Sequence, residues 1–231
     1  LYAFRRTLLW SALNVPIWLA LSFTLALILN QSIRARGFFR TLFYLPSIIP
    51  AVGAVWAWRL LLDPNNGVVN AIISIFRPGT AILWTTDYAL QSLTMVAVWQ
   101  GAGVGMVIFL AGLQGISRPL YEAASIDGAT RWQQFTRITV PMLSPTTFFI
   151  LITTLINCLQ IFDVPYALGY GRSTTIGPAD SMLTVVPLLY REGFISDHMG
   201  YASSLAWVLF LMIMAITFMQ FRLSNRWVNY E

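Results

Sequence analysis

The chain has 231 residues, 57% of them hydrophobic and only 10% charged, with a mean hydropathy of +0.68. Soluble domains carry about 25% charged residues, so this composition describes a protein immersed in lipid. The formal net charge of +5 does not read as a nucleic-acid patch, because the basic residues, all arginine, are spread over separate loops.

A bilayer crossing takes about 20 helical residues, and five stretches qualify, at about 8–30, 41–62, 89–116, 142–164 and 201–221. The first is broken only by Asn14 and Pro16, where a kink is expected, and no signal-peptide pattern precedes it. A basic loop follows with Arg34, Arg36 and Arg40. The second stretch contains Pro46, Pro50 and Gly53, which predicts a bent or locally unwound span, and Trp56 and Trp58 suit an interfacial belt at its far end. Pro64-Asn65-Asn66-Gly67 is a turn signal, and Val68 to Phe76 is predicted as a short surface helix. Trp84 and Tyr88, like Trp227 and Tyr230, read as interfacial anchors.

The third stretch is rich in glycine (Gly101, Gly103, Gly105, Gly112 and Gly115), which lets helices approach closely or leaves room for a solute. After it comes a polar interruption, residues 117–141. Pro119 can open a helix, Glu122 is expected in its first turns at the positive end of the dipole, and Ala123 and Ala124 give a smooth face. Gly128 allows a sharp turn or a close packing contact. A second amphipathic run carries Trp132, Phe135 and Ile138 on one side until Val140-Pro141 stops it. The segment therefore reads as helix, turn, helix outside the bilayer, shaped to fit a groove.

Polar groups inside apolar spans are costly and usually face the bundle interior. Gln100, Asn157, Gln160 and Asp163 are such groups, either tying helices together or meeting a solute; Asp163, close to a helix end, reads as snorkelled or paired. Cys158 lies alone in an apolar run and His198 alone in a polar loop, so neither a disulfide framework nor a metal site is expected. The chain has no lysine and hence no phosphate loop of the Gly-x-x-x-x-Gly-Lys type, and no Ser-His-Asp set is plausible, so no catalytic residues are assigned.

The order Glu122-Ala123-Ala124, Gly128, Ile138, Val140, Pro141 resembles the signature loop of binding-protein-dependent ABC importer permeases, with Val140 standing where that family usually has Leu. Gly37-Phe38-Phe39-Arg40, Leu45-Pro46 with Pro50, Gly67 with Asn70, and the run from Gly200-Tyr201-Ala202 to Arg222 are similar to its carbohydrate branch, the maltose and glycerol-phosphate type. A departure falls at Leu168-Gly169-Tyr170-Gly171-Arg172, where such permeases often carry Thr-x-Gly-Gly-Pro.

The resemblance implies an all-α polytopic protein of the bacterial inner membrane, with five of six core helices present and a cytoplasmic coupling helix. The arginines agree: the loops 31–40, 117–141 and the tail after 221 hold eight, against Arg77, Arg172 and Arg191 in 63–88 and 165–200. An outside N-terminus then points to a missing upstream helix. The resemblance further implies that Glu122, Ala123, Ala124, Asp127, Gly128, Ala129 and Thr130 couple to a separate ATPase. Gly101, Val104, Thr154, Asn157, Cys158 and Ile161 sit where sugar permeases place solute contacts. The implied partners are a second permease, two ATPase subunits carrying ATP and Mg, and an extracytoplasmic binding protein. The implied function is sugar import by alternating access. Polyamine or glycerol phosphate are alternative solutes, and an ion-coupled transporter is the rival class, for which Asp163 is the one candidate carboxylate.

Overall fold

The computed structural model describes residues 1–77, 82–169, 175–225 and 228, and every regular element among them is helical. In chain order these are α1 (Tyr2–Asn30), α2 (Arg36–Ile48), α3 (Ala51–Leu61), α4 (Val68–Phe76), α5 (Ala89–Gly115) and α6 (Arg118–Ile126). There follow α7 (Arg131–Gln134), a π-helical turn at Phe135–Thr139, α8 (Val140–Met142) and α9 (Ser144–Leu159). The chain then forms α10 (Asp163–Leu168), a 3-10 turn at Pro178–Asp180, α11 (Val185–Tyr190), a second π turn at Arg191–Ile195 and α12 (Met199–Ser224). Three helices, α1, α5 and α12, are long and apolar enough to cross a membrane unaided. Two bent pairs pass the same test: α2 with α3 at 98°, and Arg131–Met142 with α9 at 56°.

In α1 the usual soluble pattern is inverted. Its buried face carries Thr7, Ser11, Asn14 and Ser22, while Leu8, Leu9, Ile17, Leu21 and Ile28 are exposed. That is the arrangement a lipid solvent selects, since polar groups are retained where the bundle can partner them. Pro16 falls on the exposed side and the helix continues through it.

α5 is the centre of the bundle and packs against α1, α2, α3, α9 and α10. Its glycines permit the approach. A side chain at Gly103 would overlap the backbone of Phe43 and Tyr44 on α2, and one at Gly105 would sit 2.5 Å from Ser22 Oγ on α1. Ser22 Oγ also donates to the Ala102 carbonyl at 3.2 Å. Two apolar clusters lie along this axis. One gathers Ala3, Val55, Leu93, Val96, Leu168, Met182 and Val185, and the other Ala26, Leu29, Met106, Phe109, Leu113, Leu143 and Ile150.

The stretch 41–62 is not one straight helix. Pro50 forces Ile49 out of helical geometry (φ −69, ψ 129), and the chain restarts at Ala51 nearly at right angles. Gln100 stitches the break: its Nε2 donates to the Ile49 carbonyl at 2.8 Å, and Ser47 Oγ donates to the Gln100 carbonyl at 2.8 Å. Gln100 thus ties helices together, and it also lines the cavity described below. At the other end of α2, the Arg36 guanidinium donates to the Leu29 carbonyl at the last turn of α1, a favourable place for a cation.

Two further expectations change. The second helix of the polar interruption does not stop at Val140-Pro141. The π turn, in which the Val140 amide bonds the Phe135 carbonyl five residues back, widens the helix just before Pro141, and it runs on to Met142. The stop comes at Leu143, where Pro145 opens α9 instead. The apolar stretch 142–164 likewise contains an interruption, since α9 ends at Leu159 and Asp163 begins α10. Trp84 is not a bare anchor: its Nε1 donates to Asn70 Oδ1 at 2.9 Å, and Asn70 Nδ2 donates to the Pro64 and Ile82 carbonyls at 3.0 Å. Trp227, Tyr230 and the Tyr170–Arg172 part of the atypical turn lie outside the described residues.

The Gly103 contact yields a direct expectation. A Gly103→Val variant should lose stability by about 1–3 kcal/mol through overpacking against immovable backbone, seen as a lower melting temperature in detergent. Gly115→Ala, where nothing lies within 4 Å of an added methyl, should melt no lower than the parent.

Candidate functional site

α1, α5, α9 and the α9–α10 junction line a half-open cavity of about 480 Å³, within the ~300–1,000 Å³ typical of ligand sites. All six residues read from the sequence as solute contacts line it: Gly101 and Val104 from α5, Thr154, Asn157 and Cys158 from α9, and Ile161 just beyond. Thr154 and Cys158 are buried, and Asn157 and Val104 are exposed. Gln160, Phe162 and Asp163 join the wall, with Asp163 exposed at the first turn of α10. Among the described residues, Asp163 is the only charged one on it.

Sequence reasoning missed the α1 wall. Trp10, Asn14 and Trp18 project into the same cavity at intervals of four residues, the spacing that stacks side chains on one helix face. That spacing was readable, but Trp10 and Trp18 resemble interfacial tryptophans and Asn14 a mere interruption. The structure also alters the meaning of Gly101. The room it leaves is filled by the indole of Trp18, whose Nε1 lies 2.5 Å from where a Cβ would stand. Gly101 borders the cavity by admitting a protein ring, not by leaving an empty slot.

The second feature is the segment 117–141, at the far end of α5, about 40 Å from the start of that helix at 1.5 Å per residue. Pro119 lies in the first turn of α6, as its sequence position suggests. Glu122 does not: it is the fifth residue, beyond the dipole's positive end, and the first turn holds Arg118. Gly128 has φ +77 with open space around it, so it is a turn glycine and not a packing point. It closes α6 with paired capping bonds, Gly128 N to Ser125 O at 3.1 Å and Ala129 N to Ala124 O at 2.9 Å, a left-handed cap that glycine adopts without strain.

Thr130 then starts α7 through a reciprocal cap. Its Oγ1 accepts from the Gln133 amide at 3.3 Å, and its own amide donates to Gln133 Oε1 at 2.7 Å. The Thr-x-x-Gln spacing announces this cap in the sequence, a signal left unused above. Gln134 Nε2 donates to Ser125 Oγ at 2.9 Å, and Tyr121 OH meets Thr139 Oγ1 at 2.9 Å, so the two helices form one braced unit. On its outer side Glu122, Ala123 and Asp127 are exposed, with Ala124 and Ala129 half-buried. Ile126 is 87% exposed and Trp132 70%, an apolar display unusual outside lipid.

Comparison with known proteins matches this architecture. The family model for the inner membrane component of binding-protein-dependent transport systems matches residues 18–229. The chain is 39% identical over 221 residues to the probable ABC transporter permease YesP of Bacillus subtilis, covering 94% of this chain and 70% of that one. It is 34% identical over 223 residues to the lactose transport permease LacF of Rhizobium radiobacter, covering 95% and 74%. Among solved structures it resembles a chain of a bacterial ABC transporter that imports the acidic polysaccharide alginate, with a TM-score of 0.83 and 26% identity over 97% of this chain and 78% of that one. A second structure, an alginate ABC transporter in complex with an alginate pentasaccharide-bound periplasmic protein, gives 0.80 and 25%, covering 97% and 77%.

The caps make a measurable claim. Thr130→Ala removes the side-chain acceptor, a loss of about 1 kcal/mol, so amides of residues 131–134 should exchange with deuterium roughly fivefold faster. Exchange at wild-type rate would show that the cap contributes nothing to the rigidity of this unit.

Proposed function

This chain belongs to the binding-protein-dependent transport system inner membrane components, multi-pass proteins of the inner membrane, and we propose that it lines the solute path of an ATP-driven importer for a neutral sugar. The observation that carries the solute class is the cavity itself. Indole, amide and hydroxyl groups converge on it from α1, α5 and α9, with one exposed carboxylate and, among the described residues, no basic residue on its wall. Amides and hydroxyls satisfy a polyhydroxyl ligand, while a phosphate or uronate would need compensating cations. The named substrates of relatives, lactose, sn-glycerol 3-phosphate and the acidic polysaccharide alginate, support a sugar-type solute, and of these lactose is the neutral one that suits this wall.

The assembly follows from the surfaces. A second permease completes the path on the open side of the bundle. Two ATPase subunits carry ATP and Mg, and a groove on one of them receives α6, with exposed Ala123, Ile126 and Trp132 as the contact face. Glu122, Asp127, Gly128 and Thr130 shape that unit, the last two through the caps described. The described residues of the loops 63–88 and 165–200 are joined by Ser181 Oγ donating to the Thr85 carbonyl at 3.0 Å. A solute-binding protein docks there, on the outer side in the orientation that the arginines favour. In this topology α2 with α3 and Arg131–Met142 with α9 each make one bent crossing, giving five.

One observation favours a second reading. Asp163, on the same cavity wall as Trp18, also suits a polyamine, through charge and cation–π attraction.

The test is ATP hydrolysis by the reconstituted complex, with its binding protein loaded in turn with lactose, maltose, raffinose, glycerol 3-phosphate and spermidine. Stimulation by a saccharide is expected; stimulation by spermidine alone would move the assignment to the second reading. Ala123→Arg should abolish stimulation while leaving the permease pair intact, since loss of a central interface contact costs about 2 kcal/mol or more. Undiminished stimulation in that variant would remove α6 from the ATPase interface.

A further inference from the structure

Among the described residues, three buried side-chain polar atoms have no hydrogen-bond partner, and two of them, Trp10 Nε1 and Asn14 Oδ1, belong to residues of the cavity wall. Both residues are almost fully enclosed, at 1% and 3% exposure. They lie one turn apart on the same face of α1, which sets their Cβ atoms about 6 Å apart. Leaving a buried donor and a buried acceptor unpaired costs stability, and an apolar pair of the same shape would avoid that cost. The Asn14 amide is also oriented: its Nδ2 donates to Cys158 Sγ at 3.2 Å across the cavity wall, which commits the nitrogen and leaves the oxygen uncommitted.

We propose that Trp10 and Asn14 form a hydroxyl-reading subsite, a donor and an acceptor from α1 held ready for one hydroxyl of a neutral polyol. That hydroxyl accepts the indole proton and donates its own proton to the amide oxygen, satisfying both groups at once. A phosphate oxygen or an ammonium group satisfies only one of them, since the first cannot donate and the second cannot accept. The subsite therefore selects against a polyamine, which has no hydroxyl, whereas glycerol phosphate meets it only through its own free hydroxyls and not through its phosphate. It rests on the sugar reading above and adds α1 to the recognising wall, opposite the Thr154 and Asn157 side.

The experiment uses proteoliposomes containing the whole complex, with Trp10→Phe and Asn14→Leu made separately. Trp10→Phe removes the indole donor along with part of the ring, and Asn14→Leu keeps the side-chain shape but removes the amide oxygen together with the Nδ2 bond to Cys158, so each is read independently. Uptake rates are measured at saturating loaded binding protein for lactose, maltose and raffinose and for their monodeoxy analogues. The binding protein's own preference cancels when the parent-to-analogue ratio of a variant is divided by that of the wild type. The subsite predicts that the wild type disfavours one monodeoxy analogue by ~10-fold and that each variant brings that ratio close to one. If uptake of parent and analogue falls equally, the two residues only pack the wall and the subsite is wrong. If none of the three sugars is transported while spermidine is, the sugar reading fails and the subsite falls with it; if only glycerol 3-phosphate is, the sugar reading alone fails, and whether the variants lose discrimination against its 2-deoxy analogue decides the subsite.

Discussion

The bundle depends on how closely α5 can approach its neighbours. At Gly103 the backbone of α2 occupies the place of a side chain, and at Gly105 the serine of α1 does. Helices in lipid gain little from hydrophobic burial against one another, so close packing and interhelical hydrogen bonds must hold them. The Ser22 bond to Ala102 and the Gln100 bond to Ile49 supply the second kind at the places where the glycines supply the first. Moving α5 outward by the width of a methyl group would break both. The cavity exists at the same level because Trp18 fills the notch at Gly101 and keeps the polar side of α1 turned inward.

The same helix joins the two ends of the molecule. Its first turns pack beside the outer loops, and its last residue leads within three positions to α6. The coupling segment is braced internally by the cap at Gly128, the reciprocal cap at Thr130 and the Gln134–Ser125 bond. On the proposed reading, a push on α6 would pass to α7 through these bonds and not be absorbed by a flexible loop. The break at Pro50 and the 56° bend before α9 are the places where the membrane helices have already left straight geometry. On this account they are where the path changes shape.

Much of this was legible in the residues. The helix Val68–Phe76 ends where its apolar run ends, and the glycine-rich stretch became a helix within a residue of its predicted limits. Composition and periodicity speak clearly when the solvent is lipid. The six residues read as solute contacts line one cavity because they lie on the facing sides of α5 and α9 and just beyond α9. What stayed hidden depended on three-dimensional neighbours. Asn14 looked like an interruption until Cys158 stood beside it, Trp84 looked like an anchor until Asn70 bonded it, and Pro141 looked like a stop until a π turn made room for it.

The central claim is that the cavity between α1, α5 and α9 is the solute path, and one structure tests it most directly. Cryo-electron microscopy of the full complex, trapped with saccharide-loaded binding protein and a non-hydrolysable nucleotide, would locate the sugar. The account predicts ring-shaped density in this cavity, with hydroxyls within hydrogen-bonding distance of Asn157 and of the Trp10–Asn14 pair. A sugar held wholly by the partner permease, with this cavity collapsed around Trp18, would contradict it.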